Sequence, residues 1–146
     1  MNKNLKLDID AAMRNDPAAR TRFEVRLTYS GIKALIAYRR ANWFYHHGFK
    51  LLARIISQSA KKKTGIEIHP AATIAPGVFI DHGEGVVIGE TAVVETDVVI
   101  YQGVTLGGTG KDVGKRHPTL GNNVMVGSGA KLLGNFKVGD NSKIAA

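Results

Sequence analysis

From Ile68 to Ile144, large aliphatic side chains return at every sixth position, as Ile68, Ile74, Ile80, then Ile88, Val94, Ile100, Leu106, and again Leu120, Val126, Leu132, Val138, Ile144. A period of six fits neither an amphipathic helix, near 3.6, nor an alternating strand, at 2, so the pattern reads as a structural repeat. Six residues per face and three faces per turn give a triangular parallel β-coil, whose recurring aliphatics stack inward and bury one another. Two interruptions break the rhythm. Two extra residues separate Ile80 from Ile88, and the step from Leu106 to Leu120 exceeds two full hexads by two. An interruption in a solenoid is a loop pushed out of a regular wall, commonly on a binding face. These hold or adjoin Asp81, His82, Glu90, Arg116 and His117.

Upstream of Gly65 the spacing is helical. Leu5 to Arg14 predicts a short helix with Leu7, Ile9 and Met13 inward, and Asp16 before Pro17 reads as the N-cap of a second helix running to Leu27. A third is predicted over Ile32 to His46, anchored by Leu35, Ile36, Trp43 and Phe44, and a fourth over Phe49 to Ser59, with Leu51, Leu52, Ile55 and Ile56 as its apolar face. The expected organisation is a helical domain over 1–63 and a repeat domain over 64–146, with a protruding loop at about 107–119. So small a helical unit buries little surface alone, and is expected to pack on the first coils or on another subunit.

Composition narrows the function classes. The chain has no cysteine, hence no disulfide framework and no thiolate nucleophile. No apolar stretch reads as a signal segment or reaches spanning length, so a cytoplasmic, soluble protein without a membrane role is expected. The net charge of +8 is unevenly spread: residues 1–63 hold fourteen basic and four acidic side chains, residues 64–146 six and eight. Basic and aromatic residues do not alternate along a groove, and no nucleic-acid partner is expected.

His82 is flanked by Asp81 and Gly83, with Glu67 fifteen positions earlier. Eighteen residues make one turn of the coil, so Glu67 is expected within reach of the imidazole. A carboxylate on one ring nitrogen fixes the tautomer and leaves the other free to take a proton from a hydroxyl. Arg116-His117 follows the glycine-rich Gly107-Gly108-Thr109-Gly110. Arginine can hold a carboxylate through two parallel hydrogen bonds, and the adjacent histidine can orient or polarise a reacting group. His69, His82 and His117 do not form a tight ligand triplet, so no metal is expected.

Asp16-Pro17-Ala18-Ala19, Thr64-Gly65-Ile66-Glu67-Ile68-His69-Pro70, Ile80-Asp81-His82-Gly83, Val87-Ile88-Gly89-Glu90-Thr91, Val104 to Gly110 and Arg116-His117-Pro118 together resemble the serine O-acetyltransferases of the hexapeptide-repeat acyltransferase family. The resemblance implies a mainly β fold, a left-handed parallel β-helix behind a small α-helical domain, assembled as a homotrimer with active sites between subunits; a dimer of trimers is the larger alternative. It implies acetyl transfer from acetyl-CoA to the L-serine hydroxyl. His82 would be general base with Glu67, where Asp is usual, as partner. Asp16, Asp81, Arg116 and His117 would hold serine, and Gly108, Ser128 and Ala146 would contact the coenzyme. L-Cysteine is implied as an inhibitor. Family members continue past the position of Ala146 through a further coil and a tail that enters O-acetylserine sulfhydrylase, so this chain is not expected to form that complex in the usual way. The competing expectations are acetylation of another hydroxyl, as on homoserine or a sugar, and a truncated repeat protein without catalysis.

Overall fold

The computed structural model describes residues 2–146; Met1, the first residue of the expected helical domain, lies outside them. The hexads close into a left-handed, three-faced coil. The first face carries β1 (Glu67–Ile68), β4 (Val87–Ile88), β7 (Thr105–Gly107) and β10 (Lys131–Leu133). On the second lie β2 (Thr73–Ile74), β5 (Val93–Val94), β8 (Thr119–Leu120) and β11 (Lys137–Val138). The third holds β3 (Phe79–Ile80), β6 (Val99–Ile100), β9 (Met125–Val126) and β12 (Lys143–Ile144). All pairing is parallel, between successive coils. The repeated aliphatics Ile68, Ile88, Leu106, Ile74, Val94, Leu120, Ile80, Ile100 and Val126 are buried in one column of core, with Ala72, Ala92, Val78, Val98, Val86 and Val104 beneath the corners.

The register corrects one reading of the repeat. Leu106 pairs with Ile88 and Leu120 with Val94, which places Leu106 and Leu120 on adjacent faces. The excursion between them therefore holds eight residues beyond one hexad, not two beyond two hexads. Counting along the chain cannot separate a hexad in the wall from one looped out of it; ladder pairing does.

Four helices precede the coil: α1 (Lys3–Asn15), α2 (Arg22–Thr28), α3 (Ser30–His46) and α4 (Lys50–Thr64). Asp16 caps the C-terminal end of α1 and does not open a helix at Pro17; α2 starts five residues later, where the Thr21 hydroxyl accepts the Glu24 N–H at 3.1 Å. The expected anchors Trp43, Leu51, Leu52 and Ile55 lie exposed, and Leu35, Tyr38 and Ala53 are the buried contacts. Helix α4 continues through the lysines and stops at Gly65, whose φ of 72° is the left-handed geometry of a helix terminator.

These helices close the coil at its start. Each coil donates its N–H groups to the carbonyls of the next, so the carbonyls of the first coil have no strand to accept from and would be a bare sheet edge. Side chains meet them instead: Ser57 Oγ donates to Ile68 O at 2.6 Å, Asn42 Nδ2 to Pro70 O at 2.8 Å, Tyr38 O–H to Ala72 O at 2.6 Å and Arg39 Nη1 to Ile74 O at 3.2 Å. Arg39 also pairs with the buried Asp8 at 2.8 Å, and Asp8 accepts the Gly77 N–H at 2.9 Å. Burial pushes the Asp8 carboxyl up, against the pull of Arg39. On the third face Ile9, Ala12, Val25 and Ile32 cover Phe79 and Val99. Gly31 permits this approach, because a Cβ there would strike the backbone oxygen of Ile80. Among the described residues, no helix is long and apolar enough to cross a membrane.

Candidate active site

The predicted residues other than Glu67 gather on two of the three edges of the prism. At the edge between the third and first faces, the two inserted residues turn the chain out after β3. His82 adopts a left-handed backbone (φ 58°), followed by Gly83 at 83°, which throws the imidazole clear of the wall. A cleft of about 230 Å³ lies there, lined by Asp16, Tyr29, Ser30, Gly31, Asp81 and His82. His82 Nε2 stands 3.9 Å from Asp81 Oδ1, too far for a hydrogen bond. Asp16 accepts the Tyr29 O–H at 2.5 Å and the Ala18 N–H at 2.8 Å. The Tyr29 bond holds the Asp16 carboxyl below its ordinary range, while burial and Asp16 push Tyr29 up to about 12. The cleft thus offers two carboxyl groups, that of Asp16 fixed by hydrogen bonds, and an exposed imidazole.

The ladder continues this edge upward. Ile80, Ile100, Val126 and Ile144 are in register, and at the corner the Gly103 N–H donates to Glu84 O and the Gly129 N–H to Gln102 O, both at 2.8 Å, so Glu84, Gln102, Ser128 and Ala146 form one column with His82 looped out beside it. Two expected coenzyme contacts, Ser128 and Ala146, therefore lie along the same edge as the expected base.

At the edge between the first and second faces, the long excursion returns as Arg116-His117 against Gly89-Glu90-Thr91 of the coil below. Arg116 Nη2 donates to Glu90, holding that carboxyl below its usual range, and Arg116 Nη1 donates to Gly114 O at 3.2 Å. Of the five guanidinium N–H groups three remain for a ligand. His117 is buried, its Nδ1 2.8 Å from the Thr91 hydroxyl. Burial, then Arg116 and Lys115, push its pKa down against the pull of Glu90. Gly108, two residues after Leu106, stacks over Glu90 and touches Arg116.

Glu67 belongs to neither cluster. It sits on the first face, where its carboxylate accepts from Lys61 Nζ at 2.5 Å and Gln58 Nε2 at 3.5 Å, and it makes no hydrogen bond with His82. Lys61 holds Glu67 below its usual range. The fifteen-residue spacing brings the two onto neighbouring positions of the path, but a strand residue facing outward and a corner residue in left-handed geometry point in different directions. Tyr29 and Thr91 enter the site without having been given a role, since neither lies on the hexad period and each contacts its partner across a whole helix or a coil. No group of three or more His, Cys, Asp or Glu among the described residues is arranged to hold a metal ion. A larger groove, about 630 Å³, runs along the remaining edge between α1 and Asp97, Asn123 and Asn141, and holds none of the predicted residues.

A helix-capped coil of hexads with a histidine and an arginine displayed on its edges defines the class, the hexapeptide-repeat transferases; residues 117–146 match the family of bacterial transferase hexapeptides (six repeats). The serine acetyltransferase of Synechococcus elongatus is 53% identical over the whole chain, which spans 60% of that protein. That of Helicobacter pylori is 57% identical over 98% of the chain and 84% of its own length. Among solved structures, serine acetyltransferase isoform 3 of Entamoeba histolytica in complex with cysteine superposes with a TM-score of 0.95 at 44% identity, over 99% of this chain and 51% of that one. The Brucella abortus enzyme in complex with coenzyme A gives 0.95 at 46%, over 97% and 57%. The chain belongs to the serine acetyltransferase family.

Proposed function

We propose that the protein transfers the acetyl group of acetyl-CoA to the hydroxyl of L-serine. His82 takes the hydroxyl proton as the serine oxygen attacks the thioester carbonyl; the C–S bond breaks, and O-acetyl-L-serine and the CoA thiol leave, the thiolate taking up the proton that His82 carries. Asp16 and Asp81 suit the substrate ammonium, and the free guanidinium N–H groups of Arg116 suit its carboxylate. His117 borders the same half, and Glu67 is the candidate partner of His82 once it leaves Lys61. Gly108, Ser128 and Ala146 would follow the coenzyme. The Brucella structure with coenzyme A supports the acetyl donor, and the Entamoeba structure with cysteine supports a serine-like amino acid in the site, so that L-cysteine would compete with serine.

The observation that carries this reading is the division of the site. Asp16, Asp81, His82, Ser128 and Ala146 lie along one edge of the prism, and Gly108, Arg116 and His117 along another. Serine-binding and coenzyme-binding candidates are split in the same way. One arrangement joins both halves at once: three parallel copies about a threefold axis, with the third–first edge of each against the first–second edge of the next. This division favours a homotrimer with three intersubunit sites, whether alone or paired into a larger assembly.

The test is serine-dependent release of free thiol from acetyl-CoA by the trimer. His82→Ala should lower kcat by about 100-fold or more, and homoserine or a galactoside should turn over poorly. An intact trimer that releases no thiol with both substrates saturating would sink the reading. Mixing His82→Ala with Arg116→Ala subunits should restore activity in hybrid trimers, because some interfaces then pair two intact halves; no restoration would refute the shared site.

A further inference from the structure

The ring of His117 is held by one residue of the preceding coil. The Thr91 hydroxyl oxygen accepts the Arg116 N–H at 2.9 Å and the His117 N–H at 3.1 Å, which occupies both of its lone pairs. Its single hydrogen is left to donate, and His117 Nδ1 stands 2.8 Å away. The Thr91 backbone N–H points at the same ring nitrogen from 3.2 Å. A nitrogen that faces two donors must present its lone pair, so the ring proton sits on Nε2. A second proton, on Nδ1, would set N–H against N–H and O–H.

Gly89 completes the slot. A Cβ at Gly89 would fall inside the His117 ring, at Cδ2 and Nε2, so the glycine is what lets the imidazole lie flat on the coil. Nε2 makes no hydrogen bond among the described residues, and it is the polar point of the ring left for a ligand. The charged and titratable groups around the ring are Arg116 and Lys115 on its own segment, Glu90 from the coil below and His69 from the first coil.

We propose that Thr91 is a positioning residue that holds His117 neutral with its proton on Nε2, so that His117 meets the substrate as a hydrogen-bond donor and not as a second base. This deepens the acetyl-transfer reading and rests on it for the identity of the substrate. The same hydroxyl seats the backbone of Arg116, so one side chain sets both the imidazole tautomer and the root of the guanidinium. Burial of the ring beside two cations acts in the same direction, against protonation.

Long-range proton–nitrogen spectra of the ¹⁵N-histidine-labelled, assembled protein test this without turnover, the His117 signals being assigned by their loss in His117→Asn. At pH 7 the expected pattern is a bare Nδ1 and a protonated Nε2, persisting to lower pH than in an ordinary histidine. Thr91→Val should give a mixture of tautomers and move the titration up toward the ordinary range; Thr91→Ser should keep the parent pattern. In kinetics, Thr91→Val should raise the KM for serine about tenfold, the worth of one lost hydrogen bond, with a smaller change in kcat, and Thr91→Ser should restore it. A parent spectrum showing Nδ1 protonated, or an imidazolium at pH 7, overturns the proposal, as does a Thr91→Val protein with parent spectrum and parent KM. If Thr91→Val does not fold, the parent and Thr91→Ser spectra still decide. Absence of serine-dependent thiol release in the parent would overturn the acetyl-transfer reading alone, because the tautomer is read independently of it.

Discussion

For Glu67 to orient His82 as proposed, its carboxylate must leave Lys61, and the structure sets what that costs. The pair is half exposed, with 48% of the Lys61 side chain and 26% of the Glu67 side chain open to solvent. Such a pair is worth about 0–1 kcal/mol, since the Coulomb gain in high dielectric is largely offset by ordering two long side chains. The 3.5 Å contact from Gln58 adds little to it. At about 1.4 kcal/mol per tenfold, holding Glu67 on Lys61 reduces the fraction free for His82 by at most about fivefold. Lys61→Met keeps the apolar stem and removes the charge. Its kcat, measured by thiol release with both substrates saturating, should therefore rise by no more than about fivefold. Glu67→Gln should lower kcat by at least about tenfold, and Glu67→Asp should recover most of it. A Glu67→Gln protein with parent kcat, alongside a Lys61→Met protein that loses more than about tenfold, would refute the reasoning. Lys61, and not Glu67, would then be the functional group.

Two further predictions concern the frame around the site. Asp8→Ala strands the Arg39 guanidinium, only 17% exposed, against backbone carbonyls alone; urea unfolding should show a loss of about 3–5 kcal/mol, and Asp8→Ala with Arg39→Met should lose less. A single-variant loss under about 1 kcal/mol would mean that the pair is not what pins α1 to the first coil. Tyr29→Phe removes the bond that depresses the Asp16 pKa. A carboxylate with a depressed folded pKa stabilises the fold above its unfolded pKa, and that stability disappears as pH falls through the folded pKa. The Tm gap between parent and Tyr29→Phe should thus be present at neutral pH and close as the solution is acidified below the ordinary aspartate range. A gap that stays constant or widens on acidification would contradict this.

Much of the molecule is legible in the chain because a six-residue period has one economical solution. Aliphatics at every sixth position bury one another only if the chain turns a corner between them, and that requirement dictates the prism, its parallel ladders and its inward column from Ile68 to Val138. The two breaks in the period likewise point to His82 and to Arg116-His117, since residues expelled from a regular wall are free to face a ligand. The helical segment is read less well. Trp43, Leu51, Leu52 and Ile55 carry the marks of a buried face yet lie open, because the capping of the first coil by Ser57, Asn42, Tyr38 and Arg39 decides which side of α3 and α4 turns inward.

What only the tertiary structure decides is which chemical groups share an edge. Leu106 and Leu120 could be one face apart or two until the ladders fix the register. Asp16 reads as a helix cap in the sequence, but Tyr29 and the close approach at Gly31 bring it to the cleft beside His82. Thr91 has no periodic signature, and its part emerges when the returning loop lays Arg116 and His117 across it. The reason is common to all three. Period and burial follow from local composition, whereas a hydrogen bond between residues a coil apart depends on register, and register is a property of the stacked assembly of coils rather than of any one hexad.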